Sequence, residues 1–452
     1  MPAAHAPETQ RILDAPVGPL LWHLAAPNVL AIAAWTGITF ADAWYVGQLG
    51  TAALAGLALV FPFLTLMYMT AGGAIGGAIT SAVARALGGG DRDRAEAIAW
   101  HAVLVAVSLA AVFVVVFGLY ARPIFQLLGG QGTALEGAVA YARITFGGAV
   151  SVSFAFCFSA IIRGTGDTAT PARAITTASL SQIGLSGALT LGWFGLPAMG
   201  LAGTGAALVI AQGGSALYMA QYLLRGRARV RLRPHPFAWR PVGEIMRVGA
   251  LGLINSVCMA MTVAVITGLV GRYGTAALAG YGLGARLEVM LVPIAFGVGG
   301  ALTAAVGLNI GAGQHARARQ LAWTGAGATL VVTGVLGIVM ALMPHLWLDL
   351  FTSDPEAYAF GLSYLAIAAP FYGLFGAGQT LYFASQGTGR MAWPVSVTIF
   401  RFLCVAGFGL LAVSLAWPVD TLFAAAAAGL TIMGLGQALC LRGPGWRGAG
   451  PR

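Results

Sequence analysis

Apolar runs long enough to cross a membrane follow one another almost from end to end of this 452-residue chain. A hydrocarbon core about 30 Å thick is crossed by ~20 apolar residues in a helix. In that medium a helix satisfies its own backbone donors and acceptors, so each run predicts one spanning helix. Charged residues are only 8% of the chain and mean hydropathy is +0.83. A soluble domain carries charge on roughly a quarter of its residues. This chain cannot coat itself with polar groups, so its solvent is largely lipid. Clusters of Arg, Pro and Gly divide the runs at 20–46, 54–82, 100–120, 138–161, 172–194 and 198–224. After a basic stretch they resume at 248–271, 277–310, 321–343, 357–383, 395–415 and 419–441. The fold class is thus an all-α integral membrane protein of twelve spans.

The net charge of +10 comes from 24 arginines and no lysine. The densest run, 225–247, holds seven Arg against the single acid Glu244, and it lies between apolar spans. It has no repeated stacking aromatics, so it predicts a cytoplasmic connection obeying the positive-inside rule, not a nucleic-acid surface. With the N-terminus inside, nineteen of the 24 arginines fall on the cytoplasmic side. Both termini are therefore expected in the cytoplasm, with the chain in a bacterial-type inner membrane. The layout is a cytoplasmic segment 1–19, a first lobe 20–224, a basic linker 225–247, a second lobe 248–441 and a tail 442–452. Cys157, Cys258, Cys404 and Cys440 fall inside apolar runs without metal-ligand spacing and are expected to be packing residues. The N-terminus lacks the pattern of a cleaved signal, so the first span is expected to stay. The Gly-rich stretch 163–168 has no Lys-Ser/Thr after it and predicts no nucleotide site. Asp91 and Asp93 alternate with Arg92 and Arg94, which suits a solvated helix start and not a metal site. No cofactor is implied.

The chain repeats itself. Gly-Thr-Ala-Ala-Leu-Ala-Gly occurs at 50–56 and again at 274–280. Further on, Gly90, Arg94, Trp100, Tyr141, Gly166 and Pro171 match Gly313, Arg317, Trp323, Tyr364, Gly389 and Pro394 at one constant offset. Six spans per repeat is an even number, so the two halves enter the membrane from the same side and are parallel repeats. Two such bundles can rock about a central cavity, which predicts alternating-access transport. Gly72 with Gly76, Gly73 with Gly77, and Gly280 with Gly284 are small-xxx-small pairs that let helices approach closely.

Over essentially its whole length the chain resembles the multidrug and toxic-compound extrusion (MATE) family. The residues that carry the resemblance are Pro27, Asp-Ala-Trp-Tyr-Val-Gly-Gln-Leu-Gly at 42–50 with Ala-Leu-Ala at 53–55, and Arg-Gly-Thr-Gly-Asp-Thr at 163–168. The second half adds Arg-Leu-Glu at 286–288, Gly-Leu-Asn-Ile-Gly-Ala-Gly at 307–313 and Ala-Ser-Gln-Gly-Thr-Gly-Arg at 384–390. The resemblance implies two six-helix lobes in a V and export of cationic, amphipathic compounds driven by protons or sodium. It favours the DinF-like over the NorM-like branch.

A carboxylate inside a membrane span is expensive and so points to function. Asp42 lies in the outer part of the first span with apolar neighbours, and its repeat counterpart is Ile266, so the duplicated scaffold does not require the charge. Such an Asp can exchange a proton for a cation, and the resemblance matches it to the family's first-span ion-site Asp. Where DinF-like members carry Asn and Asp one turn apart in the fifth span, this chain has Gln182 and Ser186. Where NorM-like members carry acids in the seventh and tenth spans, it has Met259 and Phe375. One lone carboxylate suits proton coupling better than a sodium cage of several oxygens. Arg286 and Glu288 in the eighth span stand two apart and so face different ways, each expected to pair elsewhere. Arg401 in the eleventh span is expected to be structural. Trp35, Phe61, Tyr68, Tyr281 and Tyr372 are candidate cavity aromatics, since aromatic faces attract organic cations, although a lipid-facing belt uses the same residues. Pro27 removes a helical hydrogen bond four turns before Asp42 and is the candidate hinge.

These observations favour a monomeric secondary antiporter moving small organic cations among membrane lipids. One alternative is a flippase for lipid or lipid-linked oligosaccharide, but such cavities are richer in basic groups than Arg286 and Arg401 provide. A membrane-embedded lipid enzyme would need His, Cys or paired carboxylates converging at one depth, and the six His fall mostly in loops or at span ends.

Overall fold

The computed structural model describes residues 7–443 and Trp446, so the flanking segments expected at 1–19 and 442–452 lie partly outside the described residues. Every element described is helical. The chain opens with α1 (Pro7–Asp14) and α2 (Val17–Gly47). A single rod then runs through α3 (Thr51–Tyr68), a π-helical segment Met69–Ile75 and α4 (Gly76–Gly88). The first half continues with α5 (Arg92–Leu127), α6 (Gly132–Gly147), α7 (Ala149–Gly164), α8 (Ala169–Leu191) and α9 (Leu201–Leu224). The second half holds α10 (Trp239–Val270), α11 (Thr275–Gly311), α12 (His315–Leu342), the short α13 (His345–Leu348), α14 (Pro355–Ala368), α15 (Tyr372–Thr388), α16 (Ala392–Ser414) and α17 (Asp420–Cys440).

Ten of these helices or continuous rods have the length and apolarity to cross a membrane, and α6 with α7, bent by 45°, makes an eleventh. The twelfth expected span, 172–194, is α8. It has 23 residues, but Thr, Ser and Gln recur along it, and it ends at Leu191, short of the expected boundary. Of those polar groups Ser179, Gln182, Ser186 and Thr190 turn inward and are buried, while Thr177 and Ser181 are exposed.

The contacts divide the chain into two units. One gathers residues from Leu30 to Gly249, and the other gathers residues up to Val29 and from Ala250 onward. The divisions thus fall inside α2 and α10, not at the ends of the basic linker. Part of that linker is helix, because α10 begins at Trp239. The rest is tied to the first unit. Glu96 accepts from the Arg231 N–H at 3.2 Å, His101 Nε2 accepts from the Ala238 N–H at 2.9 Å, and Arg94 reaches Glu244 at 2.7 Å. Asp91 caps α5 by accepting from the Arg94 N–H at 2.9 Å, as a solvated helix start should.

In the first unit α8 packs on α9, and α5 packs on α6 and α7. The core between them is aromatic: Phe117 and Phe146 stack at 3.9 Å between centroids. In the second unit α11 packs on α14 and α15, and α15 on α12 and α17. Lipid tails are as apolar as leucine, so these contacts are held by close packing and by hydrogen bonds, not by escape from water. The pair Gly280 and Gly284 shows how. A Cβ on Gly280 would stand 2.5 Å from the Ala357 carbonyl, and one on Gly284 would overlap the Tyr364 ring. The repeat is visible in the backbone. Gly50 and Gly274 have φ of 101° and 108°, and Gly90 and Gly313 of 77° and 78°. Thr80 donates to the Ala160 carbonyl and Thr303 to the Phe383 carbonyl, at 3.0 and 2.9 Å.

Candidate functional site

Within the first unit, α2 and α8 bring three candidate residues together. Gln182 and Ser186 stand one turn apart and therefore share a face of α8. The Gln182 side chain, 1% exposed, donates from Nε2 to Asp42 Oδ2 at 3.3 Å. Ser186 is near enough to act on the same carboxylate, which is largely enclosed. The other oxygen, Oδ1, is buried without a hydrogen bond, and so are Ser186 Oγ and Thr145 Oγ1. A carboxylate with one long hydrogen bond and one unpaired oxygen is poised to take a proton or a cation. Among the described residues no cluster of His, Cys, Asp or Glu could hold a metal ion.

Two tyrosines stand within electrostatic reach of Asp42, Tyr68 at the end of α3 and Tyr141 on α6. Tyr68 begins an aromatic wall, with Trp35 edge-on at 5.2 Å and Phe156 at 6.0 Å between centroids. The wall is seated on the π-helical segment that follows Tyr68. Such segments occur mostly as single turns and frequently at functional sites, because the extra residue re-aims the side chains around it. Gly72, inside that segment, clears the space for Phe156, since a Cβ there would stand 2.8 Å from the ring. Gly205 on α9 does the same for Thr145 and Tyr141, at 2.6 and 3.1 Å.

The remaining candidates are placed differently. Phe61 is 51% exposed and forms no aromatic pair among the described residues. Tyr281 and Tyr372 are buried in the second unit. Tyr281 packs edge-on against Tyr364 at 5.2 Å, and the Tyr372 hydroxyl donates to the Gly284 carbonyl at 3.3 Å. Both lie among packed helices there. Arg286 and Glu288 do face opposite ways. Glu288 turns inward and accepts from the Tyr364 hydroxyl at 2.9 Å. Arg286 is exposed, lines an open cleft of about 300 Å³ with Leu278, Leu283 and Phe351, and makes no ion pair among the described residues. The pairing expected for it is absent because the side chain points away from the helix bundle. Pro27 lies inside a continuous α2, two residues before the contact division at Val29.

Sequence reasoning did not single out Tyr141, Thr145, Phe156 or the π-helical segment. For Tyr141 a signal existed, since it is the repeat counterpart of Tyr364. Tyr364 bonds the carboxylate of its own unit, Glu288, and Tyr141 stands within electrostatic reach of Asp42 in the other.

The MatE family model matches residues 27–187 and 253–411, one match in each half. A protein of Shewanella oneidensis named FAD transporter is 28% identical over 375 residues, covering 81% of each chain. The probable multidrug resistance protein YoeA of Bacillus subtilis is 26% identical over 365 residues, 78% of this chain and 77% of its own. Among solved structures, a MOP-superfamily transporter from Pyrococcus furiosus, described as having a binding pocket of reverse polarity, superposes with a TM-score of 0.89. It is 20% identical and is matched over 97% of this chain and 98% of its own. With both halves matched by the family model and the whole chain sharing the fold, this membrane protein belongs to the multidrug and toxic-compound extrusion family of transporters.

Proposed function

We propose that the protein is a secondary antiporter of the cell membrane that exports cationic, amphipathic organic compounds in exchange for protons, with Asp42 as the exchanging carboxylate. The observation that carries this reading is the setting of Asp42: a carboxylate with an unpaired buried oxygen, one amide donor from Gln182, and an aromatic wall nearby. An ionised Asp42 attracts an organic cation, whose flat surface the faces of Trp35, Tyr68 and Phe156 can hold. A proton on Asp42 removes the charge that retains the cation, so one group binds either proton or substrate and the exchange is obligatory. Gln182 orients the carboxylate, and Ser186 and Tyr141 offer alternative partners as its charge changes. Pro27, which removes a hydrogen bond inside α2, is the place where this helix would bend with the state of Asp42. Both termini and the basic linker face the cytoplasm in this reading, and the transporter acts as a monomer. The printed name of the Bacillus subtilis relative, a probable multidrug resistance protein, supports export of foreign compounds.

A second reading, export of a flavin dinucleotide, takes support from the name of the Shewanella oneidensis relative. Everted vesicles carrying the protein distinguish the two. A fluorescent organic cation should accumulate under an imposed pH gradient and not under a sodium gradient. Accumulation of FAD in place of the cation would favour the second reading, and accumulation under sodium alone would remove proton coupling.

A further inference from the structure

The second unit holds a positive charge that the exchange at Asp42 does not use. Arg401, on α16, is 4% exposed. Its Nη1 lies 2.8 Å from Met259 Sδ on α10, and its guanidinium carbon stands 5.8 Å from the centre of the Phe375 ring on α15. Its Nε is buried without a hydrogen-bond partner. That nitrogen faces Gly429 on α17, where a Cβ would approach it to 3.3 Å. Glu288 on α11 is near enough for its charge to act on Arg401. No direct ion pair joins the two among the described residues, and the Glu288 carboxylate is engaged by Tyr364.

For an arginine this is poor housing. A guanidinium has five N–H donors in a fixed fork, and a thioether sulfur is a weak acceptor. Burying an under-bonded charge is strongly unfavourable. The same surroundings suit another ligand well. An aromatic face, a polarisable sulfur and a carboxylate at longer range attract a cation without asking it for directed hydrogen bonds. That is the recognition chemistry of an organic cation.

We propose that the interior of the second unit is an organic-cation cage which the chain fills with its own Arg401. A guanidinium or quaternary ammonium compound can enter only when that side chain is absent or withdrawn. With Arg401 in place the second unit binds no external cation, and Glu288 is occupied by an internal partner. This inference does not rest on the role given to Asp42.

The test uses full-length protein in detergent, with ethylguanidinium and tetramethylammonium as probes, followed by calorimetric titration and by the shift in unfolding temperature. In an Asp42→Asn background, which removes the first-unit carboxylate, the protein with Arg401 intact should show no response to ethylguanidinium. Arg401→Ala should bind it saturably and regain thermal stability as it does so. Arg401→Ala with Glu288→Gln should bind it at least about tenfold more weakly, the factor that a loss of 1.4 kcal/mol produces. Arg401→Ala with Asp42→Asn should still bind it saturably. If the alanine variant does not fold, Arg401→Met keeps the stem without the charge, and tetramethylammonium is the probe for the same comparisons. Absence of saturable binding in the folded arginine variants would overturn the proposal. So would equal binding by Asp42→Asn with Arg401 intact, or a gain that survives Glu288→Gln or vanishes with Asp42→Asn.

Discussion

The proposed exchange at Asp42 sets a number of protons per substrate, which follows from where the acids lie. In the first unit Asp91, Asp93, Glu96, Glu136, Asp167 and Glu244 sit near helix starts or in connections, and only Asp42 stands inside a span. In the second unit Glu288 also stands inside a span, but its charge faces Arg401 and its oxygen is engaged by Tyr364. The proposed exchange therefore rests on one carboxylate. Exchange of one proton for one monovalent cation moves no net charge. One pH unit is worth about 1.4 kcal/mol, which sustains about a tenfold substrate gradient. Two exchanging carboxylates would sustain about a hundredfold. Proteoliposomes loaded with the purified protein, clamped at zero potential with valinomycin and matched potassium, allow the measurement with a fluorescent monovalent cation. The steady-state ratio should rise about tenfold per imposed pH unit and should not respond to an imposed potential. Asp42→Asn should bring the ratio to one while leaving insertion and folding intact, and Glu288→Gln should leave the tenfold slope unchanged. A hundredfold slope, or any accumulation by Asp42→Asn under a proton gradient, would refute this account.

Three further outcomes are expected. Pro27→Ala should give a folded protein that binds substrate yet turns over slowly, and full efflux by this variant would leave Pro27 a static kink. Gly205→Val forces its side chain against Thr145 and Tyr141, an overpacking that costs about 1–3 kcal/mol, so the unfolding temperature in detergent and the efflux rate should both fall. Arg233 is exposed in the basic linker, so in a background without Cys157, Cys258, Cys404 and Cys440, Arg233→Cys should react with a membrane-impermeant maleimide in everted vesicles and not in right-side-out ones.

The physics of the bilayer made much of this protein legible in its sequence. A chain with so little charge must place its apolar runs in lipid, and in lipid a run of that length must be a helix. That argument fixes the all-helical class and the spans, and through the arginines it predicts a topology. The repeat also survives in one dimension, because glycines that need positive φ and prolines that start helices are required at the same points of both halves. Gly90 and Gly313 show this in nearly identical φ. Asp42 stands out for the same kind of reason, since a buried charge is costly wherever the chain carries it. Tertiary structure alone decided which groups surround that charge. Gln182 is 140 residues from Asp42 in the chain, and their contact depends on how α8 is rotated against α2, which hydropathy does not encode. The π-helical segment that seats the Tyr68 wall depends on one extra residue per turn, which no apolar period reveals. Nor does sequence separate Tyr281 and Tyr372, packed inside the second unit, from Tyr68 beside the carboxylate of the first, because an aromatic ring suits core, cavity and lipid face alike. Arg401 could be read as a charge within a span from the sequence. That it sits on a sulfur and a ring face, with Glu288 held off beside Tyr364, was settled only when α10, α11, α15, α16 and α17 packed together.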